Sequence, residues 1–259
     1  MAARLTRAIL RAPGRTFASG LTVAGGGAPD LALACTQHDA YARALEACGL
    51  AITMLPADER FPDGTFVEDT AVLTPRAAIV TRPGAPSRRG EVDSIAAALR
   101  MARLALHHIQ APGTVDGGDV CECDGSFLIG VSARTDAAGA QQLAGLLRDL
   151  GCQAMLIDIR ESPTLLHLKT GLSYLGDGRL VVSGDVPMSA CLAEFECIAV
   201  EPAEAYAANC IRVNDRVLVA AGFPRFEERL VRLGLDPLPL GMSEFRKMDG
   251  GLSCLSLRF

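Results

Sequence analysis

The chain has 259 residues, a formal charge of −5 and a hydrophobic content of 49%, enough to bury one large core or two small ones. Its mild acidity, with arginines dispersed apart from Arg88-Arg89 and Arg225, argues against nucleic acid as a partner, because a phosphate backbone demands a dense basic face. No apolar run is long enough to span a bilayer, and Met1 to Pro13 alternates arginine with short apolar pairs instead of forming a signal peptide, so no membrane partner and a cytoplasmic location are expected.

The predicted elements begin with a strand from Ala8 to Arg11, a long polar excursion, a helix from Cys35 to Ala47 and a strand from Ile52 to Leu55. If Phe66 to Leu73 is a strand, either Glu68 or Asp69 must face the apolar side. Ala77 to Val80 is a strand, Arg82-Pro83-Gly84 a turn, Val92 to Leu104 has helical periodicity, and Ala105 to Gln110 is extended again. The pattern returns with a strand from Ser126 to Ile129, a helix from Ala137 to Leu150 and a strand from Gln153 to Ile159. Leu180 to Val200 is a broken copy in which most of the helix is missing. Arg216 to Ala220, Arg225 to Leu233 and Leu235 to Leu240 form a last strand–helix–strand set, and Leu255 to Phe259 reads as an apolar strand with Cys254 at its start.

Four or five strand–helix–strand units signal internal repetition, although an ordinary open α/β sheet permits the same periodicities. No Gly-x-Gly-x-x-Gly opens a helix and no Walker A lysine motif is present, which removes dinucleotide and P-loop readings. The nine cysteines are scattered. Cys35, Cys48, Cys152, Cys191, Cys197 and Cys210 read as small hydrophobes, and Cys121-x-Cys123 lacks the second ligand pair of a structural zinc site.

Four regions put charge or a nucleophile into glycine-rich or apolar surroundings. In Asp63 to Thr70, a buried Glu68 or Asp69 needs a cation or several donors, which a cationic substrate supplies. In Asp116-Gly117-Gly118-Asp119, paired glycines admit close backbone approach, the bland alternative being a turn with two capping aspartates. Of the four histidines, His38 reads as facing solvent or capping locally, and His107 and His108 lie in an edge-type strand. His167, with Leu165-Leu166 before it and Lys169 two residues on, is a candidate for chemistry beside a cysteine and carboxylates, the bland alternative being a satisfied core histidine. Cys254, in Asp249-Gly250-Gly251-Leu252-Ser253-Cys254, is a candidate nucleophile that a cationic neighbour would activate, the alternative being an inert buried thiol.

The strings FPDGTFVEDTAVL, TRPGAPSRRGE, APGTVDGGDV, GVSARTDAAG, LHLKTGLSYL, AYAANCIRVN and EFRKMDGGLSCLSLRF resemble, in order, those of bacterial dimethylarginine dimethylaminohydrolases, members of the guanidine-modifying or amidinotransferase superfamily. The resemblance covers essentially the whole chain. It implies a single catalytic domain over residues 1–259, an α/β fold of five ββαβ-type units arranged as a five-bladed pseudo-symmetric propeller. It puts the nucleophile on Cys254, the general acid/base on His167 and the acidic triad member on Asp116, where bacterial relatives often carry glutamate. It further implies that Asp69 holds the guanidinium with Glu68 beside it, Arg88 and Arg134 hold the substrate carboxylate, Asp63 receives the α-amino group, and Leu21 lies on a lid.

The implied reaction turns methylated L-arginine, a small-molecule substrate, into citrulline and an amine through a covalent thiouronium on the cysteine, with no metal and no organic cofactor. Arginine deiminase, which shares fold and nucleophile, is the rival activity, and a non-catalytic binding protein a more distant one. Where deiminases carry a second carboxylate after the histidine, this chain has Lys169, which removes acceptors that an unmethylated guanidinium would use. The family also implies a homodimer, for which the residues give no independent argument.

Overall fold

The computed structural model describes residues 4–259. In chain order its elements are β1 (Arg7–Arg11), α1 (Leu31–Ala47), β2 (Ala51–Leu55), β3 (Ala71–Leu73), β4 (Ala77–Val80), α2 (Val92–Met101), β5 (Ala105–His108), β6 (Val120–Cys123), β7 (Ser126–Val131) and α3 (Ala137–Asp149). They continue with β8 (Gln153–Asp158), α4 (Leu168–Gly171), β9 (Leu172–Gly176), β10 (Arg179–Val182), β11 (Glu196–Ala199), β12 (Ile211–Val213), β13 (Arg216–Ala220), α5 (Pro224–Arg232), β14 (Asp236–Leu240), α6 (Ser243–Arg246) and β15 (Leu257–Arg258).

The strands form five three-stranded sheets, β15-β1-β2, β3-β4-β5, β6-β7-β8, β11-β10-β9 and β12-β13-β14. Each middle strand is antiparallel to one neighbour and parallel to the other. In the third sheet, for example, Ile129 of β7 lies opposite Val120 of β6, and Ser126 lies beside Gln153 of β8. The parallel partners are joined by α1, α2, α3 and α5, while β10 and β11 are joined through a single 3-10 turn, Ala190–Leu192. This is the α/β fold of five ββαβ-type units that the resemblance implied, and it contains the repeated strand–helix–strand sets read from the sequence, broken copy included. No helix among the described residues is long and apolar enough to cross a membrane.

The described chain falls into two compact units, Glu68–Ala208 and the residues up to Val67 together with Asn209–Phe259. In the first unit β7 is covered on both faces. Phe127, Ile129 and Val131 pack with Val72, Ile79 and Leu143, whereas Leu128 packs with Leu168, Leu172 and Leu180, which explains why its sequence is a continuous apolar run. A two-residue turn joins β6 to β7, with φ of 51° at Asp124 and 87° at Gly125, the double positive φ that matches strand twist in a tight hairpin. Asp136 starts α3 by accepting the Gly139 N–H at 2.7 Å, a side-chain cap for an otherwise orphaned donor. The Cys121 and Cys123 thiols lie 4.0 Å apart inside this core. Among the described residues no third ligand-type side chain groups with them.

In the second unit α1 starts four residues earlier than predicted, because Asp30 caps it through the Leu33 N–H at 3.0 Å. The rings of Phe17, Phe66 and Phe245 pack with centroids 5.6 to 6.3 Å apart. His38 was expected at the surface and is instead buried in α1, 6.3 Å from the Phe245 ring, with no hydrogen-bond partner on Nε2. Burial outweighs the pull of Asp39 and lowers its pKa to about 4. The scattered cysteines are less uniform than expected: Cys48 and Cys210 are buried, while Cys35, Cys152, Cys191 and Cys197 are only partly so.

Candidate active site

In the unit Glu68–Ala208, Val67–Thr70 form a 3-10 turn rather than a strand, and β3 begins only at Ala71. A strand would have buried one of the two carboxylates. The turn buries both, and each has its own cation, as buried charge requires. Glu68 Oε1 accepts from Lys169 Nζ at 2.6 Å. Asp69 Oδ2 accepts from Arg88 Nη1 at 2.5 Å and its Oδ1 from the Gly118 N–H at 2.9 Å. Arg88, in the 3-10 turn Pro86–Glu91, also donates from Nε and Nη2 to Glu91. Burial disfavours its charge, but Glu91 and Asp69 outweigh that and raise its pKa. The expected guanidinium acceptor and one expected carboxylate donor are thus in direct contact.

The glycine pair works as a close approach. Gly117–Asp119 form a 3-10 turn, and a Cβ on Gly118 would lie 2.7 Å from His167 Nδ1 and 2.8 Å from Asp69 Oδ1, so no side chain fits. Asp116, with 0% exposure, has its Oδ2 3.0 Å from His167 Nε2, while its Oδ1 accepts the Gly84 N–H at 2.8 Å.

His167 caps α4 with extended backbone, φ −136°, and its N–H donates to Thr170 Oγ1 at 3.3 Å. Its Nε2 is also 4.0 Å from Asp69 Oδ1. Burial works against an imidazolium here, but Asp69, Asp119 and Asp116 outweigh it and raise the pKa to about 9. Asp69, buried yet facing that imidazolium and Arg88, is held down at about 2. Arg134 lies in the loop after β7, half-buried, where its N–H donates to Ser132 Oγ at 3.0 Å. Asp69, Asp116 and His167 are the one group among the described residues with three ligand-type atoms within 4.8 Å of one another. Arg88 already places a cation on Asp69, and carboxylates around a protonated imidazole form an arrangement able to hold and pass a proton.

Cys254, Asp63 and Leu21 belong to the other unit. Cys254 was expected at the start of a strand and sits in a 3-10 turn, Ser253–Leu255, ahead of the short β15. The turn is clamped by Asn209, whose Oδ1 accepts the Ser253 N–H at 2.9 Å and whose Nδ2 donates to Ser253 Oγ at 3.1 Å. The Gly251 N–H donates to Cys254 Sγ at 3.4 Å, and a Cβ on Gly251 would collide with the Asn209 side chain. Asp63 is buried, and its Oδ1 accepts the Leu21 N–H at 2.9 Å. Val23 N–H donates to Asp249 Oδ2 at 2.7 Å and Thr22 Oγ1 to the Lys247 carbonyl at 3.0 Å.

An arginine deiminase family model matches residues 97–220, a stretch that contains Asp116, Arg134 and His167. The decisive match is longer: an N(G),N(G)-dimethylarginine dimethylaminohydrolase of Pseudomonas aeruginosa is 46% identical over 252 residues, covering 97% of this chain and 98% of that protein. The chain belongs to the dimethylarginine dimethylaminohydrolase family. A second dimethylarginine dimethylaminohydrolase, from Streptomyces coelicolor, is 35% identical over 97% of this chain and 96% of its own length. In structure, a cysteine-to-serine variant of the Pseudomonas aeruginosa dimethylarginine dimethylaminohydrolase complexed with citrulline matches at a TM-score of 0.95 and 44% identity, covering 99% of this chain and 100% of that one.

Sequence reasoning passed over three residues that shape these two clusters. Asn209 was visible only as part of a family string, because an amide announces its partners only once the chain is folded. Asp119 read as a turn cap, and its burial depends on long-range packing. Lys169 was weighed for the carboxylate it replaces, and its ion pair with Glu68 spans 101 positions.

Proposed function

We propose that the chain, acting as one catalytic domain over its whole length, hydrolyses L-arginine methylated on its guanidinium to L-citrulline and methylamine or dimethylamine. The observation that carries this reading is the buried His167–Asp116 pair at 3.0 Å with Asp69 alongside, in a chain whose full-length relatives bear that activity in their names.

The substrate cation is a poor electrophile, so orientation and charge do most of the catalysis. Asp69 keeps lone pairs beyond those used by Arg88 and Gly118, since a carboxylate offers about four acceptor sites, and it receives the guanidinium N–H groups. The Cys254 thiolate attacks the central guanidino carbon, and the C=N electrons move onto nitrogen to give a tetrahedral adduct. His167, an imidazolium at neutral pH, gives its proton to the methylated nitrogen, and the C–N bond breaks to release the amine. The S-alkylthiouronium left on Cys254 is then attacked by water, whose proton neutral His167 takes. Collapse breaks the C–S bond, frees citrulline and returns the thiolate. Asp116 orients the His167 ring and stabilises its cation. Arg134 and Arg88 are assigned to the substrate carboxylate and Asp63, beside Leu21, to its amino group.

Loss of ammonia from arginine is the second reading, favoured by the deiminase model match. Against it stands the Lys169–Glu68 pair at 2.6 Å, which satisfies a carboxylate that an unmethylated nitrogen would otherwise use. A cytoplasmic homodimer belongs to the same proposal and rests on the sequence and the family. The test is citrulline and amine release from dimethylated and monomethylated arginine beside arginine, with Cys254→Ser as blank. Dimethylamine with citrulline, abolished in the variant and faster than ammonia from arginine, is expected. Preferential ammonia release would hand the chain to the deiminase reading.

A further inference from the structure

Asp119 has 0% exposure, a costly place for a carboxylate unless its oxygens are used. Its Oδ1 accepts the Leu168 N–H at 2.9 Å, the peptide that directly follows His167. Its Oδ2 accepts from Ser132 Oγ at 2.6 Å. That hydroxyl in turn receives the N–H groups of Arg134 and Thr135, each at 3.0 Å. Thr135 Oγ1 accepts the Asp116 N–H at 3.0 Å, which closes the network. The surroundings are sized for this carboxylate, since a Cβ on Gly130 would lie 3.0 Å from Asp119 Oδ1 and 2.9 Å from Leu168 Cβ.

We propose that Asp119 is a positioning residue, whose buried carboxylate ties the turn carrying His167 to the loop carrying Arg134 and so keeps the general acid/base in register with the substrate-binding arginine. The inference rests on the roles given above to His167 and Arg134. It separates Asp119 from Asp116, which bonds the imidazole itself, because Asp119 acts through two backbone segments and through its charge. Burial raises its pKa to about 6 even with His167, Ser132 and Thr135 drawing it down, so near neutral pH it adds a carboxylate to the imidazolium's surroundings. The other groups facing His167 are Asp116 and Asp69, the latter paired with Arg88, while Lys169 on its own turn is engaged by Glu68.

Asp119→Asn keeps the shape but replaces one acceptor with a donor, and two donors converge on the site. Steady-state kinetics on dimethylarginine should give a 10- to 100-fold fall in kcat with KM changed much less, the scale at which small misplacements of a catalytic group act. NMR titration of the four histidines should put His167 at a lower pKa in the variant, with His107 and His108 unmoved. Ser132→Ala, which leaves the Asp119–Leu168 bond in place and cuts the bonds to the loop at Arg134 and Thr135, should raise KM more than it lowers kcat. A kcat within two-fold of wild type, or a His167 titration unchanged in Asp119→Asn, would overturn the proposal. If that variant does not fold, equal effects of Ser132→Ala on kcat and KM overturn it. If the wild type turns over no methylarginine, the functional reading fails on its own, and the His167 titration alone decides the role of Asp119.

Discussion

His167 carries a proton at neutral pH because three aspartates outvote its burial, and the neighbouring arginines divide along the same line. Arg88 is buried between Asp69 and Glu91, whereas Arg134 is half-buried in the loop between β7 and α3. Removing Arg88 therefore strands two buried carboxylates, a change of the kind that costs about 3–5 kcal/mol. Arg88→Ala should lower the denaturant midpoint strongly and reduce kcat, since Asp69 loses the partner that orients it, in addition to any rise in KM from its share of the substrate carboxylate. Arg134→Ala should leave the midpoint nearly unchanged and raise KM by roughly 10- to 100-fold, in line with the loss of one desolvated charge-assisted contact of about 1.5–3 kcal/mol. Equal stability losses for the two variants, or an unchanged KM in Arg134→Ala, would contradict this division of labour.

Four residues make up α4, too few to hold a helix by backbone hydrogen bonds alone. Its place is fixed from outside: Leu168 is buried at 0% among Leu128, Leu165, Leu172 and Leu180, and the chain runs directly from it into β9. A leucine that packs the core and a histidine that does chemistry are adjacent in sequence, so a packing defect becomes a catalytic one. Leu168→Ala should cost about 2–5 kcal/mol by cavity formation and also depress kcat after correction for the folded fraction. Circular dichroism melts beside kinetics would separate the two effects, and a stability loss with unaltered kcat would show that His167 is held independently of its neighbour. The hairpin turn at Asp124-Gly125 supports the same region, because it sets the register that brings Leu128 onto the face shared with Leu168.

For the molecule as a whole, His38 sets an acid limit. Its native pKa of about 4 lies below its ordinary value of 6.5, so between those values the unfolded chain binds a proton that the native chain refuses. Stability from this site is complete above about pH 6.5 and declines as pH falls toward 4. His38→Leu, which removes an unsatisfied buried nitrogen, should be close to neutral at pH 7 and flatten the decline between pH 6.5 and 4 in urea midpoints; an equally steep decline in the variant would refute this. Much of the architecture was legible because the repeat writes itself in period. The strand Arg216–Ala220 was read to the residue, and the missing helix between β10 and β11 was visible as a gap. What escaped depends on partners distant in sequence. Glu68 and Asp69 looked like alternating strand positions, and only Lys169 and Arg88 let both turn inward. His38 looked like a helix-surface residue, and only the Phe245 ring, some two hundred positions away, defines its side of α1 as interior.

Gly118 offers no functional group, yet its α-hydrogen faces the His167 ring and the Asp69 carboxylate across a gap with no room for a methyl group. In a saturation mutagenesis screen scored by citrulline production, that position should therefore tolerate as little as His167 itself. Essentiality scores will rank it among the chemical residues, and what they register there is an empty volume.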